Sequence, residues 1–204
     1  MYKGNKGFVL KFGDLAKTLS LEDWKTTSLE DLDSDTEWVA IVTDDAEAYL
    51  NEINAIVTKM KHPKTCFVID LHPCANYKHL QKLWDNYMMV DRESVEVLLS
   101  FIHHHLVNHS MISFTIQDFR KCSVPYPLVK AVSADIVKDA PIDPNAQAVC
   151  YGLCFEQACE LGTSYLNAFA KTADKIDEDK YVPWSIQYSS DNVIEAIFFY
   201  ERKF

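Results

Sequence analysis

Residues Glu37 to His72 constrain the fold more than any other stretch of the chain. Trp38–Val42 and Cys66–Leu71 are near-continuous apolar runs rich in Val and Ile, as strands covered on both faces require. Between them Ala46, Tyr49, Leu50, Ile53, Ile56, Val57 and Met60 recur at three- and four-residue steps. That spacing places them on one helical face. Asp44 or Asp45 stands where a helix cap belongs, and His62-Pro63 ends the pattern. Strand, helix and strand at this spacing predict a crossover that leaves the two strands parallel.

The flanking segments extend this core. Phe8–Phe12 alternates and reads as a short edge strand. Helical spacing runs from Tyr77 through Leu80, Leu83, Trp84 and Tyr87 to Met88, and Asp91 opens a second helix from Arg92 to about Asn108. Ser110–Ile116 reads as a strand. Leu128–Val137 reads as a helix, and so does the stretch from Asn145 to at least Cys159, where Gly152 and Gly162 mark close packing or a break. Tyr181–Tyr188 and Val193–Tyr200 flank Ser189-Ser-Asp-Asn192, the signature of an antiparallel hairpin. The expected class is therefore α/β, with a mixed sheet. A parallel βαβ core over about 37–72 is flanked by helices and closed by the C-terminal hairpin. A single domain over 1–204 is preferred to a division near 140, into 1–139 and 144–204, at the linker-like Asp139–Pro144.

Several functions are excluded by what the chain lacks. Five glycines in 204 residues form no GxGxxG and no Walker loop. The glycine-based phosphate cradles, which need backbone conformations only glycine adopts cheaply, are missing. There is no G-x-S-x-G nucleophile elbow. No apolar run approaches a membrane span, and the N-terminus has no signal-length apolar stretch, so a cytoplasmic address without membrane contact is expected. The six cysteines then read as buried reduced thiols rather than a disulfide framework.

Charge is concentrated. Between Glu22 and Glu47 stand ten acidic residues and one base, Lys25, so nearly the whole net charge of −10 lies in about an eighth of the chain. The bland account is a solvated face rich in helix caps. The sharper one is an anionic surface for a basic protein partner, carried by Glu22, Asp23, Glu30, Asp31, Asp33 and Asp35. Such a surface repels nucleic-acid phosphates. The leading functional expectation is thus a small acidic cytosolic protein-binding module, of the inhibitor or toxin-immunity kind, with no cofactor. A structural subunit of a larger assembly is a third possibility.

The alternative is a metal-dependent hydrolase or phosphoryl-transfer enzyme. Asp44, Asp70, His72 and Asp118 all follow expected strands, and open α/β sheets place ligand sites at the carboxyl ends of their strands. Carboxylates gathered there would suit Mg²⁺. Against this, Asp44 has work as a cap and Asp118 as a turn residue. His105 and His109 are four apart, as zinc ligands on a helix are, but the glutamate of HExxH is missing. Cys150 and Cys154, also four apart, make a weak zinc pair for want of a CxxC spacing.

Overall fold

The crossover at residues 37–72 is present in the computed structural model. The structure describes residues 7–20, 30, 32, 36–60, 65–72, 74–107, 115–136, 140–155, 167, 169–172, 174–176, 179–189 and 192–201. The protein is α/β with a mixed set of eight strands among the described residues. It divides into two compact units, Met1–Glu96 and Val97–Phe204, each described by itself below. No helix among the described residues is long and apolar enough to cross a membrane.

The first unit is a run of parallel strands. β1 (Gly7–Phe12), β2 (Trp38–Thr43), β3 (Cys66–Asp70) and β4 (Tyr87–Val90) pair in that order, each parallel to the next. Every residue of β2, β3 and β4 is buried, which accounts for their unbroken apolar sequences. α2 (Leu50–Lys59) joins β2 to β3 and buries Ile53 and Ile56. It starts later than its periodicity predicts, because a turn over residues 46–49 intervenes, in which Asp45 Oδ1 accepts from the Glu47 and Ala48 amides. α3 (Tyr77–Leu83) is likewise shorter than expected. Tyr87 and Met88 continue its spacing but belong to β4. At the β3–β4 pairing the Tyr87 hydroxyl donates to Asp70 Oδ2 at 2.8 Å.

The first unit ends with a short 3₁₀ turn, Arg92–Ser94, that Asp91 caps as expected through the Ser94 amide, and with the first two residues of α4 (Val95–Phe101); the rest of α4 opens the second unit. α4 widens into a π-helical segment, Ile102–Val107. α5 (Ile116–Ser123) replaces the end of the strand expected at 110–116, with Thr115 and Asp118 forming a capping box; residues 110–114 lie outside the described set. The helix expected at 128–137 is a strand, β5 (Leu128–Asp135), in which Val129 and Ala131 are buried while Lys130 is exposed. The helix expected from Asn145 is a strand too, β6 (Ala148–Phe155), buried at all its positions. β7 (Trp184–Tyr188) and β8 (Val193–Tyr200) close the unit as an antiparallel pair that straddles β6. β8 is antiparallel to both β5 and β6, and β7 is parallel to β6.

Alternation along β6 separates two surfaces. Val149, Tyr151, Leu153 and Phe155 join Ile186, Ile194, Ala196 and Phe198 in one apolar cluster, completed by Phe169. Cys150, Gly152 and Cys154 face the other way. There α5 brings Cys122 to 3.8 Å from Cys150, and Phe119 meets Phe199 edge-on at 5.4 Å. Gly152 is where the π-helical segment comes closest. A Cβ at this position would overlap the His105 ring, at 2.2 Å from Nε2. The absent side chain is the space His105 fills.

Two predictions follow from these contacts. Gly152→Ala forces His105 out of its seat, and overpacking of this kind costs about 1–3 kcal/mol; urea unfolding measures the loss. Asp70 is held above the ordinary carboxyl value of 3.8, by burial first, with the Tyr87 and His72 hydrogen bonds pulling the other way. A raised native pKa means that ionisation disfavours the fold, so stability from this group falls as pH rises through that pKa. Asp70→Asn keeps an acceptor for Tyr87 and does not ionise. It is expected to be more stable than the wild type at neutral pH, with the difference shrinking as pH drops toward 3.8, read by thermal unfolding across pH.

Candidate functional site

Ser185, Glu195 and Cys154, all buried in the second unit, converge on His105. Strand register sets this up: Gly152 of β6 stands opposite Glu195 of β8 and opposite Ser185 of β7. Directly opposed residues share a face. The row Glu195–Gly152–Ser185 thus carries a carboxylate and a hydroxyl on either side of a gap. The His105 imidazole enters that gap from the π-helical segment and also meets Phe101 at 5.0 Å between ring centres. Ser185 Oγ lies 2.6 Å from His105 Nδ1. On the far side of the ring, Nε2 lies 3.3 Å from Glu195 Oε2 and 3.5 Å from Cys154 Sγ. Cys154 is two residues along β6 from Gly152, so it occupies the same face. His104 completes the group, with Nδ1 3.8 Å from the same sulfur.

These side chains are almost fully withdrawn from solvent: His105 is 1% exposed, Ser185 0%, Glu195 3% and Cys154 0%. His104 is half-buried. Glu195 Oε2 has no hydrogen-bond partner, although His105 Nε2 stands 3.3 Å from it. A buried carboxylate oxygen without a donor is costly unless a cation compensates it. Among the described residues, His104, Cys154 and Glu195 form a set whose ligand atoms all lie within 4.8 Å of one another.

The residues singled out from the sequence fall elsewhere. Asp44 spends its carboxylate on α1 (Asp14–Lys17), taking the Leu15 and Ala16 amides at 2.7 and 2.6 Å beside Gly13 at φ 89°. Asp70 is buried against Tyr87 and also accepts the backbone N–H of His72, whose side chain is exposed. Asp118 belongs to the second unit. It closes the capping box with Thr115 and takes Lys121 Nζ and the Tyr181 hydroxyl at 2.8 Å each. Lys121 foremost, with the Thr115 and Tyr181 bonds, holds the Asp118 carboxyl below its ordinary range. Each of the three aspartates therefore has a structural occupation, and no shared ligand set of Asp44, Asp70, His72 and Asp118 is found among the described residues. Of the acidic surface, Glu30 is exposed; Glu22, Asp23, Asp31, Asp33 and Asp35 lie outside the described residues, as does His109. Of the sequence candidates, His105 and Cys154 of the weak cysteine pair lie in the cluster. Glu195, Ser185 and Gly152 were not connected to it by any spacing. The five described cysteines, Cys66, Cys74, Cys122, Cys150 and Cys154, are buried and form no disulfide. Burial pushes the Cys66 thiol up to about 12 and that of Cys150 well above its usual value.

No protein-family model matches the chain, and no curated protein matches it. Solved structures do resemble it in fold. The W319Y mutant of FtsZ from M. jannaschii aligns with a TM-score of 0.46 and 11% identity, over 81% of this chain and 66% of that one. TubZ of Bacillus thuringiensis serovar israelensis, in its GDP-form protofilaments, aligns at 0.37 and 12%, over 79% and 53%. CetZ from Methanosaeta thermophila aligns at 0.39 and 9%, over 83% and 54%. The chain thus spans just under two thirds of the FtsZ and about half of the other two. At this level the likeness concerns the fold alone. It corrects the functional expectation drawn from charge and size: the resemblance is to FtsZ, TubZ and CetZ, not to an inhibitor or toxin-immunity protein that docks a basic partner through Glu22–Glu47. The carboxylates of the hydrolase alternative serve as caps and hydrogen-bond acceptors.

Proposed function

We propose that the second unit is a zinc-binding module, with His105 Nε2, Cys154 Sγ and Glu195 Oε2 as its inner ligands. The observation that carries this reading is Glu195: a 3% exposed carboxylate with an oxygen that no donor meets, aimed at a histidine and a cysteine. Zinc takes this mixture of nitrogen, sulfur and oxygen donors. Ligands about 2.0–2.3 Å from a tetrahedral zinc stand about 3.3–3.6 Å from one another. The 3.3 Å and 3.5 Å separations around Nε2 have that size before any metal is added. Ser185 supports the same assignment. With Nδ1–H donating to Ser185 Oγ, the Nε2 lone pair is left to point at the metal, and an outer hydrogen bond of this kind orients a ligating imidazole. A metal held through a cysteine thiolate needs that thiol reduced, which agrees with a cytoplasmic address.

The protein purified without chelator is expected to carry one zinc per chain by elemental analysis. The metal-free form titrated with Co²⁺ should develop a thiolate-to-cobalt absorption band that Cys154→Ser abolishes. Ser185→Ala should keep the band and weaken metal affinity roughly 10–100-fold. Wild-type protein that binds neither ion would end the zinc reading.

A further inference from the structure

We infer that His104 is the displaceable fourth ligand of this centre, the position through which metal enters and leaves and at which a small monodentate donor of the imidazole class can bind in its place. The inference rests on the zinc reading above. It is drawn from an asymmetry among the four groups.

His105, Cys154 and Glu195 are sealed in, whereas His104 is half-buried on the same π-helical segment. Its Nδ1 is 3.8 Å from Cys154 Sγ, the longest of the three nitrogen or oxygen approaches described above. The same Nδ1 has a second partner. Ser100 Oγ, one turn earlier in α4, lies 3.3 Å away. A hydroxyl is both donor and acceptor and rotates to suit. When Nδ1 leaves the metal, the Ser100 hydroxyl can donate to the freed lone pair, so release strands no polar atom. Glu195 Oε2 has no such alternative. Dissociation of His104 is therefore the least costly way to open the coordination sphere.

The helix geometry serves the same end. Adjacent residues on an α-helix point about 100° apart, too far for neighbouring imidazoles to reach one metal easily. The wider π turn brings successive side chains closer in direction, and such turns concentrate at functional positions. His104 and His105 meet edge-on, 6.1 Å between ring centres. One ring is clamped by Ser185 while the other stays at the surface.

The test follows metal transfer from zinc- or cobalt-loaded full-length protein to a coloured chelator. His104→Ala is expected to load one metal per chain yet release it at least roughly tenfold faster. Added imidazole should restore slow release and return the wild-type cobalt spectrum. Ser100→Ala, which removes the competing hydroxyl, should slow release from the wild-type ligand set. His104→Asn serves as a second variant should the alanine fold poorly, and circular dichroism checks each. If the wild type holds metal and both His104 variants release it at the wild-type rate with no response to imidazole, His104 is not a ligand. If both variants fold but take up no metal, His104 is indispensable rather than displaceable, and the inference falls while the zinc site stands. If the wild type takes up no metal, both fall together.

Discussion

The second unit depends on one vacancy. β6 is a strand buried at every position, and at its middle it offers no side chain. His105 fills that space, and three polar side chains surround the filled gap: Ser185 to one side, Glu195 to the other, Cys154 one pleat along. A methyl group at residue 152 would occupy the place of the ring. The glycine is retained here for approach rather than for backbone freedom. Burial of an imidazole, a carboxylate and a thiol together runs against the ordinary preference of interiors. That preference makes the cluster a better guide to function than any motif in the chain.

The first unit follows the opposite logic. Its carboxylates look like a ligand site from sequence because they end strands, yet each is consumed by the backbone or by a neighbour. Asp44 occupies the amides at the start of α1, where an anion would otherwise be welcomed. Asp70 is spent on Tyr87. A strand-end carboxylate is thus ambiguous until its hydrogen bonds are known, since closing a short helix and holding a ligand call for the same atoms.

The crossover at 37–72 was legible because two apolar runs and an amphipathic interval leave one solution. β4 was not, because Tyr87 and Met88 fall three and four residues beyond Trp84 and extend a real helix on paper; only Asn86 interrupts. β5 hid behind its alanines and one lysine, which suit a helix surface as well as an open strand face. β6 was the costliest error. A strand covered on both sides shows no alternation, and its cysteines, four apart, share a side in a helix and in a strand alike. Gly152 separates the two cases. In a strand it lies between the cysteines and on their face, whereas in a helix it lies opposite. The rest of the centre carried a faint signal: Glu195 is a single acid within eight strand residues that are otherwise all apolar, and it sits far from His105 in sequence. Spacing rules do not reach across that distance. A lone charge inside an apolar strand asks for a partner without naming it.

The straddled arrangement of β7 and β8 has a kinetic side. β7 and β8 lie on either side of β6, two inter-strand spacings of about 4.8 Å each apart. Ser189 is anchored at the end of β6 by its amide, which donates to the Phe155 carbonyl at 2.7 Å. The short link from Ser189 to Asn192 suits direct zippering of β7 onto β8, a local contact that closes in microseconds. The native ladder needs β6 threaded between them, a contact of long range. Native order in this unit thus sets a local pairing of β7 with β8 against a long-range one through β6.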